Sequence, residues 1–333
     1  MTEMLSKLHE AFVAASALTP AGDGTAPASA VVGRAGDYVS VGPHGEPVLL
    51  LSCEAAGDLR RPSISLRHLS VEYGIRYRVR TSTGFAEGDF VVVSLRGDDL
   101  TLSEPFCLAG DILLAALPAS PSASDIDKVV RQLVEMMTAL SLPSSKAVAG
   151  LWAELWLMSL AASRDVAVAA WHGDTTDRFD FAFDTHFVEV KATEREERIH
   201  EFSYEQLRRS ELPVRVASLR LRRAQNGTSI ADLVNALQAG LSQQMRAKVL
   251  RNVFSAVGSA ISETAEIRFD QSFAEANLRC IAADHVPVVV IPAGSPISAV
   301  RFRVNLGDSF LAANLMRTLA RDALVDVQPM PGV

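Results

Sequence analysis

The chain has 333 residues, more than one hydrophobic core usually organises, so two or three domains are expected. Its composition, 48% hydrophobic and 21% charged, excludes a disordered or fibrous protein. The net charge of −7 argues against strong non-specific binding of nucleic acid, because neutralising phosphates needs clustered Lys and Arg.

The three cysteines are widely spaced and form no Cys-x-x-Cys pair. This pattern argues against a disulfide framework or a structural zinc site and indicates buried thiols in a reducing compartment. No stretch reaches the roughly 20 apolar residues that cross a bilayer. The first residues lack a basic segment followed by the apolar core of a signal peptide. We therefore expect a cytoplasmic protein without membrane association.

The first 117 residues predict a β-rich domain with a leading helix. Apolar residues at helical spacing indicate a helix over residues 1–18, and a stretch rich in Thr, Pro, Ala, Gly and Ser indicates a loop over 19–30. Short β-branched runs broken by turn residues follow. They lie at 39–41, 48–51, 75–79, 90–95 and 100–102, with a hairpin connection at 97–99.

Residues 118–145 predict a linker and a connecting helix that Ser124 or Asp125 caps. Residues 146–226 then carry the most specific pattern, in the order α-β-β-β-α-β. It comprises a helix at 148–162, strands at 166–171, 178–184 and 187–193, a helix at 203–210 and a strand at 214–221.

Residues 227–333 predict a mixed extension of helices and strands. Its elements are a long helix at 229–258, strands at 265–269, 286–291 and 300–304, and a terminal helix at 310–324. The predicted fold class is therefore α/β in the core and α+β overall.

Alternation along two predicted strands gathers three charged side chains. Glu189 and Lys191 lie on one face of the strand at 187–193, because successive side chains point to opposite faces. If the preceding strand pairs with it as a hairpin, Asp180 lies beside Glu189. Mg²⁺ binds to few protein carboxylates, and it can polarise a phosphoryl oxygen and acidify a bound water. An adjacent ammonium can orient that water and offset charge in the transition state.

The spacing of Asp180 from Glu189-Val-Lys191 resembles the PD-(D/E)XK nuclease superfamily, whose core has a similar α-β-β-β-α-β order. The resemblance covers residues 146–225 and implies a restriction-endonuclease-like fold. Glu154 looks like the acidic residue that many members carry on the first core helix. Gln206 looks like the glutamine that some members carry on the helix after the lysine strand.

A longer string is similar to one bacterial group, the PD-(D/E)XK motif proteins of domain-of-unknown-function family 4420. For that group the resemblance extends over most of the chain, although Phe179 stands where the motif has proline. The resemblance implies that the chain is encoded in a predicted restriction or phage-defence locus. Members of the group tend to be encoded there near helicase-like, ATPase and DNA methyltransferase proteins. The string comprises Gly150-Leu-x-x-Glu-Leu155, Trp171-x-Gly173, Asp180-Phe181, Val188-Glu-Val-Lys-Ala-Thr193 and Gln206-Leu207.

The expected function is that of a Mg²⁺-dependent DNA endonuclease subunit of a defence system, with Mn²⁺ able to substitute and helicase-like or ATPase proteins as partners. Asp180 and Glu189 are predicted to bind the metal. Glu154 is predicted to assist in binding this metal or a second one. Lys191 is predicted to position the attacking water, and Gln206 to orient the lysine or substrate. The alternatives are a catalytically silent scaffold or DNA-docking subunit, an exonuclease and a junction resolvase.

Each candidate residue also has a plain structural interpretation. Asp180, Glu189 and Lys191, called the trio below, can be an exposed ladder at a sheet edge with a cross-strand ion pair, which stabilises the fold little. Glu154 can be a solvated carboxylate on a helix, and Gln206 can be an ordinary surface residue. The best candidates for DNA contact, where no acidic residue intervenes in the sequence, are Arg220, Arg222 and Arg223. Three histidines near the site lack metal-ligand spacing and are expected in loops, namely His172, His186 and His200.

Overall fold

The chain forms two compact units in a computed structural model, Met1–Leu142 and Pro143–Val333. The four-segment division expected above stays a prediction. No helix in the described ranges is long and apolar enough to cross a bilayer. The structure describes residues 6–18, 25–31, 34–52, 61–96, 100–140, 142, 147–172, 177–207, 211–258, 264, 266–292 and 294–307.

The first unit is built on a six-stranded sheet in the order β1-β2-β3-β6-β5-β4, and β1 also pairs in parallel with β5. The predicted runs at 39–41, 48–51, 75–79 and 90–95 all lie in these strands. One face buries a cluster of aliphatic and aromatic side chains that includes Leu50 and Phe90. The strands are β1 (Ala26–Ala30), β2 (Tyr38–Val41), β3 (Pro47–Ser52), β4 (Ile64–Ser65), β5 (Leu69–Thr81) and β6 (Gly84–Leu95).

The described residues of this unit also form the helices α1 (Lys7–Ser16), α2 (Ser103–Leu114) and α3 (Ala123–Ala139). The Asp111 carboxylate of α2 accepts the Leu8 N–H at 3.1 Å, which satisfies an amide at the start of α1. Ser122 caps α3, and Asp125 completes a capping box, so the cap lies two or three residues earlier than predicted.

Two assignments in the first unit were wrong. Residues 26–30 form β1 and not a loop, because strands on both sides supply its pairing. Residues 100–102 form a 3₁₀ turn that leads into α2, whose buried Phe106, Ala109 and Leu113 recur at helical spacing. The predicted hairpin connection at 97–99 and the first five residues of the predicted leading helix lie outside the described residues.

The second unit holds a four-stranded sheet in the order β12-β10-β8-β7 and a two-stranded sheet of β13 and β9. Its strands are β7 (Phe181–Ala182), β8 (Phe187–Thr193), β9 (Ile199–Ser203), β10 (Val214–Arg220), β11 (Arg223–Thr228), β12 (Arg279–Ala282) and β13 (Arg301–Asn305). Its helices are α4 (Val148–Leu160), α5 (Arg164–Ala170), α6 (Tyr204–Leu207), α7 (Ile230–Gln238), α8 (Gln243–Val257) and α9 (Gln271–Ala276).

The mixed α/β class is confirmed, but the predicted α-β-β-β-α-β order is not. Residues 166–171 were predicted as a strand and lie mostly in helix α5, whose Ser163 cap accepts the Val166 N–H. A short run of Val and Ala has no periodicity that separates strand from helix. The strand predicted at 178–184 is shorter, and β9 arises in the stretch expected to be irregular.

The C-terminal part departs from prediction in three places. The helix expected over 229–258 is two helices, α7 and α8, separated near Gly240, whose positive φ of 103° suits a residue without Cβ. Residues 286–291 form no strand, whereas β13 matches the strand predicted at 300–304. At 265–269, the described residues contribute isolated bridges at Phe269. The predicted helix at 310–324 lies outside the described residues.

Candidate active site

Strand β8 lies inside the four-stranded sheet, between β10 and β7. Its alternation sends Val188 and Val190 into the core and places Glu189 and Lys191 together on the opposite face. The parallel register pairs Glu189 with Val216 of β10. Since Glu189 is only 4% exposed, the interpretation as an exposed edge ladder is excluded.

The Glu189 carboxylate binds two side chains through one oxygen. Lys191 Nζ lies 2.7 Å from Glu189 Oε1, and Gln206 Nε2 donates a hydrogen bond of 2.7 Å to the same oxygen. Gln206 Oε1 in turn lies 3.4 Å from Lys191 Nζ. The structure therefore brings Glu189, Lys191 and Gln206 into one closed arrangement, and Gln206 is not ordinary surface.

Gln206 is held in place by a capping interaction at the start of α6. Its backbone N–H donates to Ser203 Oγ at 3.3 Å, and its Oε1 accepts the Ser203 N–H at 2.9 Å. These reciprocal bonds form a capping box, which the sequence Ser203-Tyr-Glu-Gln206 indicates and which we did not anticipate. The Lys191 ammonium also lies 5.0 Å from the ring centroid of buried Phe202.

Asp180 approaches β8 at the peptide that follows Glu189. Its Oδ2 accepts the Val190 N–H at 2.7 Å, while its carbonyl accepts the His172 N–H at 2.8 Å. Asp180 immediately precedes β7, which pairs antiparallel with β8. The hairpin therefore carries the Asp180 carboxylate to the part of β8 that bears Glu189.

Glu154 lies on α4, which packs against β8. The side chain is 3% exposed, and its Oε2 accepts a hydrogen bond of 2.8 Å from Trp171 Nε1. The interpretation as a solvated helix carboxylate is therefore excluded. The indole donor stabilises the buried carboxylate, and no local sequence pattern predicts this pair.

A buried polar layer lies next to Lys191, and we did not predict it. Arg198 Nη1 donates to the carbonyl and hydroxyl of Ser218 at 3.1 and 3.0 Å, and His200 Nε2 lies 2.8 Å from the same hydroxyl. Burial lowers the pKa of His200 to about 4, with the nearby charges of Lys191 and Arg198 acting in the same direction. His200 lies on β9 and not in a loop, so that assignment was wrong.

The three arginines proposed for DNA contact have close partners in the fold. Arg223 Nε lies 2.7 Å from Glu194 Oε2, and Arg222 Nη2 lies 2.5 Å from Asp270 Oδ2. Arg220 and Arg222 both lie over the ring of Phe273. Acidic residues distant in sequence therefore offset two of these charges, although both side chains are 61% exposed. Their contact with DNA stays a prediction.

The carboxylates can be compared with what a divalent cation requires. Among the described residues, no three side chains of His, Cys, Asp or Glu gather closely enough to hold one metal ion. Mg²⁺ does not need such a set, because it binds to one or two carboxylates and keeps several waters. Asp180 and Glu189 are both hard oxygen donors, and the Asp180 carboxylate accepts the N–H of Val190, the residue that follows Glu189. Their chemistry suits Mg²⁺ or Mn²⁺, and their role as its ligands stays a prediction. Glu154 as a further ligand stays a prediction.

Comparison with known families identifies the family of this chain. A family model described as "Putative PD-(D/E)XK family member" (domain of unknown function 4420) matches residues 37–307. The match extends beyond the second unit and covers most of the six-stranded sheet as well. Comparison with curated proteins and with solved structures gives no match.

Proposed function

We propose that this chain, which belongs to the PD-(D/E)XK family of domain of unknown function 4420, hydrolyses phosphodiester bonds of DNA with a divalent cation. The observation that carries the proposal is the buried Glu189 carboxylate held at 2.7 Å by both Lys191 and Gln206. Burying an acid and a base together is costly, and a surface ion pair would serve stability equally well.

The roles follow from the chemistry of each group. Asp180 and Glu189 would hold Mg²⁺ or Mn²⁺, which when bound polarises a phosphoryl oxygen and makes a bound water more acidic. Lys191 keeps an ammonium beside Glu189, where it can donate to the attacking water or to an oxygen that gains charge. Gln206 contacts both groups and therefore acts as a positioning residue.

We further propose that the chain acts as the endonuclease subunit of a bacterial restriction or anti-phage complex, with helicase-like or ATPase partners that bring DNA to it. Its net charge of −7 and the salt bridges of Arg222 and Arg223 support a partner that supplies part of the grip on phosphates.

The test is cleavage of supercoiled and linear DNA with Mg²⁺ or Mn²⁺, compared with EDTA. Asp180→Ala and Lys191→Met are expected to remove cleavage. Lys248→Met is the matched control, because Lys248 is also a partly buried lysine but donates to the Ala169 carbonyl, away from the trio. If both variants still cleave DNA, the proposed active site is wrong.

The alternative is a silent scaffold or DNA-docking subunit. It predicts that the wild type binds DNA, that neighbouring gene products fail to elicit cleavage, and that Lys191→Met has no effect on the activity of the assembled system. Discrete linear products from supercoiled plasmid favour an endonuclease, whereas gradual shortening of linear DNA favours an exonuclease.

A further inference from the structure

A small cavity lies beside the hairpin that carries Asp180. Its volume is about 200 Å³, and it is lined by His172, Asp177, Arg178, Phe179, Ala182 and Phe187. Pockets for drug-sized ligands have about 300–1,000 Å³, so this cavity has room for roughly one flat ring system. None of the roles given above to the trio, Gln206 or Glu154 uses it.

The cavity wall is built from stacked planar groups. The rings of Phe179 and Phe187 stack with centroids 4.8 Å apart and planes inclined by 19°. The guanidinium carbon of Arg178 lies 4.8 Å from the Phe179 centroid. Phe179 is only 6% exposed, so the partly exposed Phe187 and Arg178 are the planar groups that a ligand can reach. Aromatic rings and guanidinium groups bind nucleobases by stacking, and Arg178 adds attraction to the phosphates.

Two polar side chains, His172 and Asp177, also line the cavity. His172 Nδ1 lies 3.5 Å from Asp177 Oδ2, and both side chains are more than a third exposed. A carboxylate accepts hydrogen bonds from the amino groups of bases, and an imidazole can donate or accept. The cavity therefore combines an apolar stacking surface with groups that match the edge of a base.

The cavity and the trio share one stretch of chain. Phe179 adjoins Asp180, and the His172 N–H donates to the Asp180 carbonyl at 2.8 Å. Phe187 begins β8, two residues before Glu189. A base bound in the cavity would hold its own strand next to the carboxylates.

We propose that this cavity binds one unstacked nucleobase of a single DNA strand, next to the site of cleavage. The inference rests on the proposed function for its substrate and adds a preference for single-stranded or locally opened DNA. Exposing a base in a duplex requires the base pair to open, and the free-energy cost of this opening is least where the strand is already single.

The experiment measures binding of a dye-labelled single-stranded oligonucleotide and of its duplex in EDTA, where the proposed cleavage does not occur. The wild type is expected to bind the single strand more tightly. Arg178→Ala removes a cation–π stacking contact and should weaken that binding about 2- to 30-fold. Arg178→Lys keeps the charge but loses the planar group and should recover little of it.

The matched control is Arg78→Ala. Arg78 also lies over a phenylalanine ring, at 5.0 Å from the Phe85 centroid, but in the first unit. It should leave single-strand affinity unchanged. A second probe is an oligonucleotide with 2-aminopurine, whose fluorescence should be quenched on binding to the wild type and less so on binding to Phe187→Leu.

Three results would overturn the inference: equal losses for Arg178→Ala and Arg78→Ala, wild-type affinity in Arg178→Lys, or no quenching of 2-aminopurine. Phe187→Leu keeps the apolar bulk, so it remains informative if Arg178→Ala fails to fold. Binding is measured without a metal, so a wild type that binds single strands but never cleaves contradicts the proposed function alone. Cleavage with no base stacking contradicts this inference alone.

Discussion

Gln206 Nε2 lies 2.7 Å from Glu189 Oε1, so a helix of four residues sets the position of a carboxylate on a central strand. The oxygen of the same side-chain amide, Gln206 Oε1, accepts the Ser203 N–H in a capping box. The orientation of the amide is therefore determined before any substrate binds. Gln206 thereby links local helix capping to the geometry of the proposed active site.

We expect Gln206→Ala to lower DNA cleavage more than it lowers stability. Hydrogen bonds to charged groups contribute about 1.5–3 kcal/mol, which corresponds to a loss in rate of roughly 10- to 150-fold if the bond is needed in the transition state. The measurement is single-turnover cleavage at saturating Mg²⁺, together with urea denaturation of each variant.

The control for Gln206→Ala is Glu205→Ala, which truncates the exposed neighbour on the same helix. It should cleave like the wild type. If both substitutions reduce cleavage to the same extent, α6 matters only as a folded element, and the positioning role of Gln206 is wrong.

Asp180→Asn should preserve the fold and remove cation binding. An asparagine oxygen can accept the Val190 N–H as Asp180 Oδ2 does at 2.7 Å, so the free energy of unfolding should change by less than about 1 kcal/mol. Mn²⁺ at a hundredfold excess over its Kd should stabilise the wild type by about 2.7 kcal/mol. That stabilisation should disappear in Asp180→Asn, as thermal denaturation with and without Mn²⁺ would reveal. Equal stabilisation of both proteins would remove Asp180 from the ligand set.

Trp171→Phe should destabilise the second unit by about 1–3 kcal/mol, because it removes the indole donor from the buried Glu154 carboxylate. Trp152→Phe is the matched control, since its indole donates at the same 2.8 Å to a neutral acceptor, the Thr228 carbonyl. Combining each substitution with Glu154→Gln gives two double-mutant cycles, measured by urea denaturation. Coupling to Glu154 is expected for Trp171 and not for Trp152; equal coupling in both cycles would contradict a specific pair.

Stability of the second unit should depend on pH through His200. Its pKa is about 4 in the fold against 6.5 for an ordinary histidine, so between these values the unfolded chain binds more protons than the native one. The free energy of unfolding therefore falls as the pH drops from 6.5 to 4, by on the order of 3 kcal/mol from this group.

The pH effect can be followed through tryptophan fluorescence during urea denaturation. All three tryptophans lie in the second unit, so their fluorescence reports that unit. His200→Gln should flatten the dependence between pH 4 and 6.5, while replacing exposed His44 in the first unit should leave it, because the buried imidazole remains. An unchanged slope in His200→Gln would show that other groups cause it.

Sequence patterns predicted secondary structure and side-chain placement best where a single local rule determines them. Strand alternation was enough to place Glu189 and Lys191 on one face. In the structure, Lys191 Nζ lies 2.7 Å from Glu189 Oε1. The same rule failed for α5, because a short run of Val and Ala suits a buried strand as well as a buried helix. Tertiary packing, absent from any local window, decided that case.

The unpredicted parts of the site come from contacts between distant segments. Trp171 reaches Glu154 across 17 positions, and Arg198 reaches the Asn277 carbonyl across 79. No periodicity encodes such pairs. The capping box of Ser203 and Gln206 is different, since its spacing was visible in the sequence and only its connection to Glu189 needed the fold.

In the register of β8 with β10, the geometry of the site depends more on the number of residues in β8 than on which residues they are. Lys191 pairs with Ser218 in this register, and an insertion of one residue inside β8 would turn the lysine toward the core and a valine toward the carboxylates. Residues 194–197, which follow the strand, are exposed and can lengthen without such an inversion. Relatives of this chain should therefore vary in length in that connection and keep a constant spacing from Asp180 to Lys191.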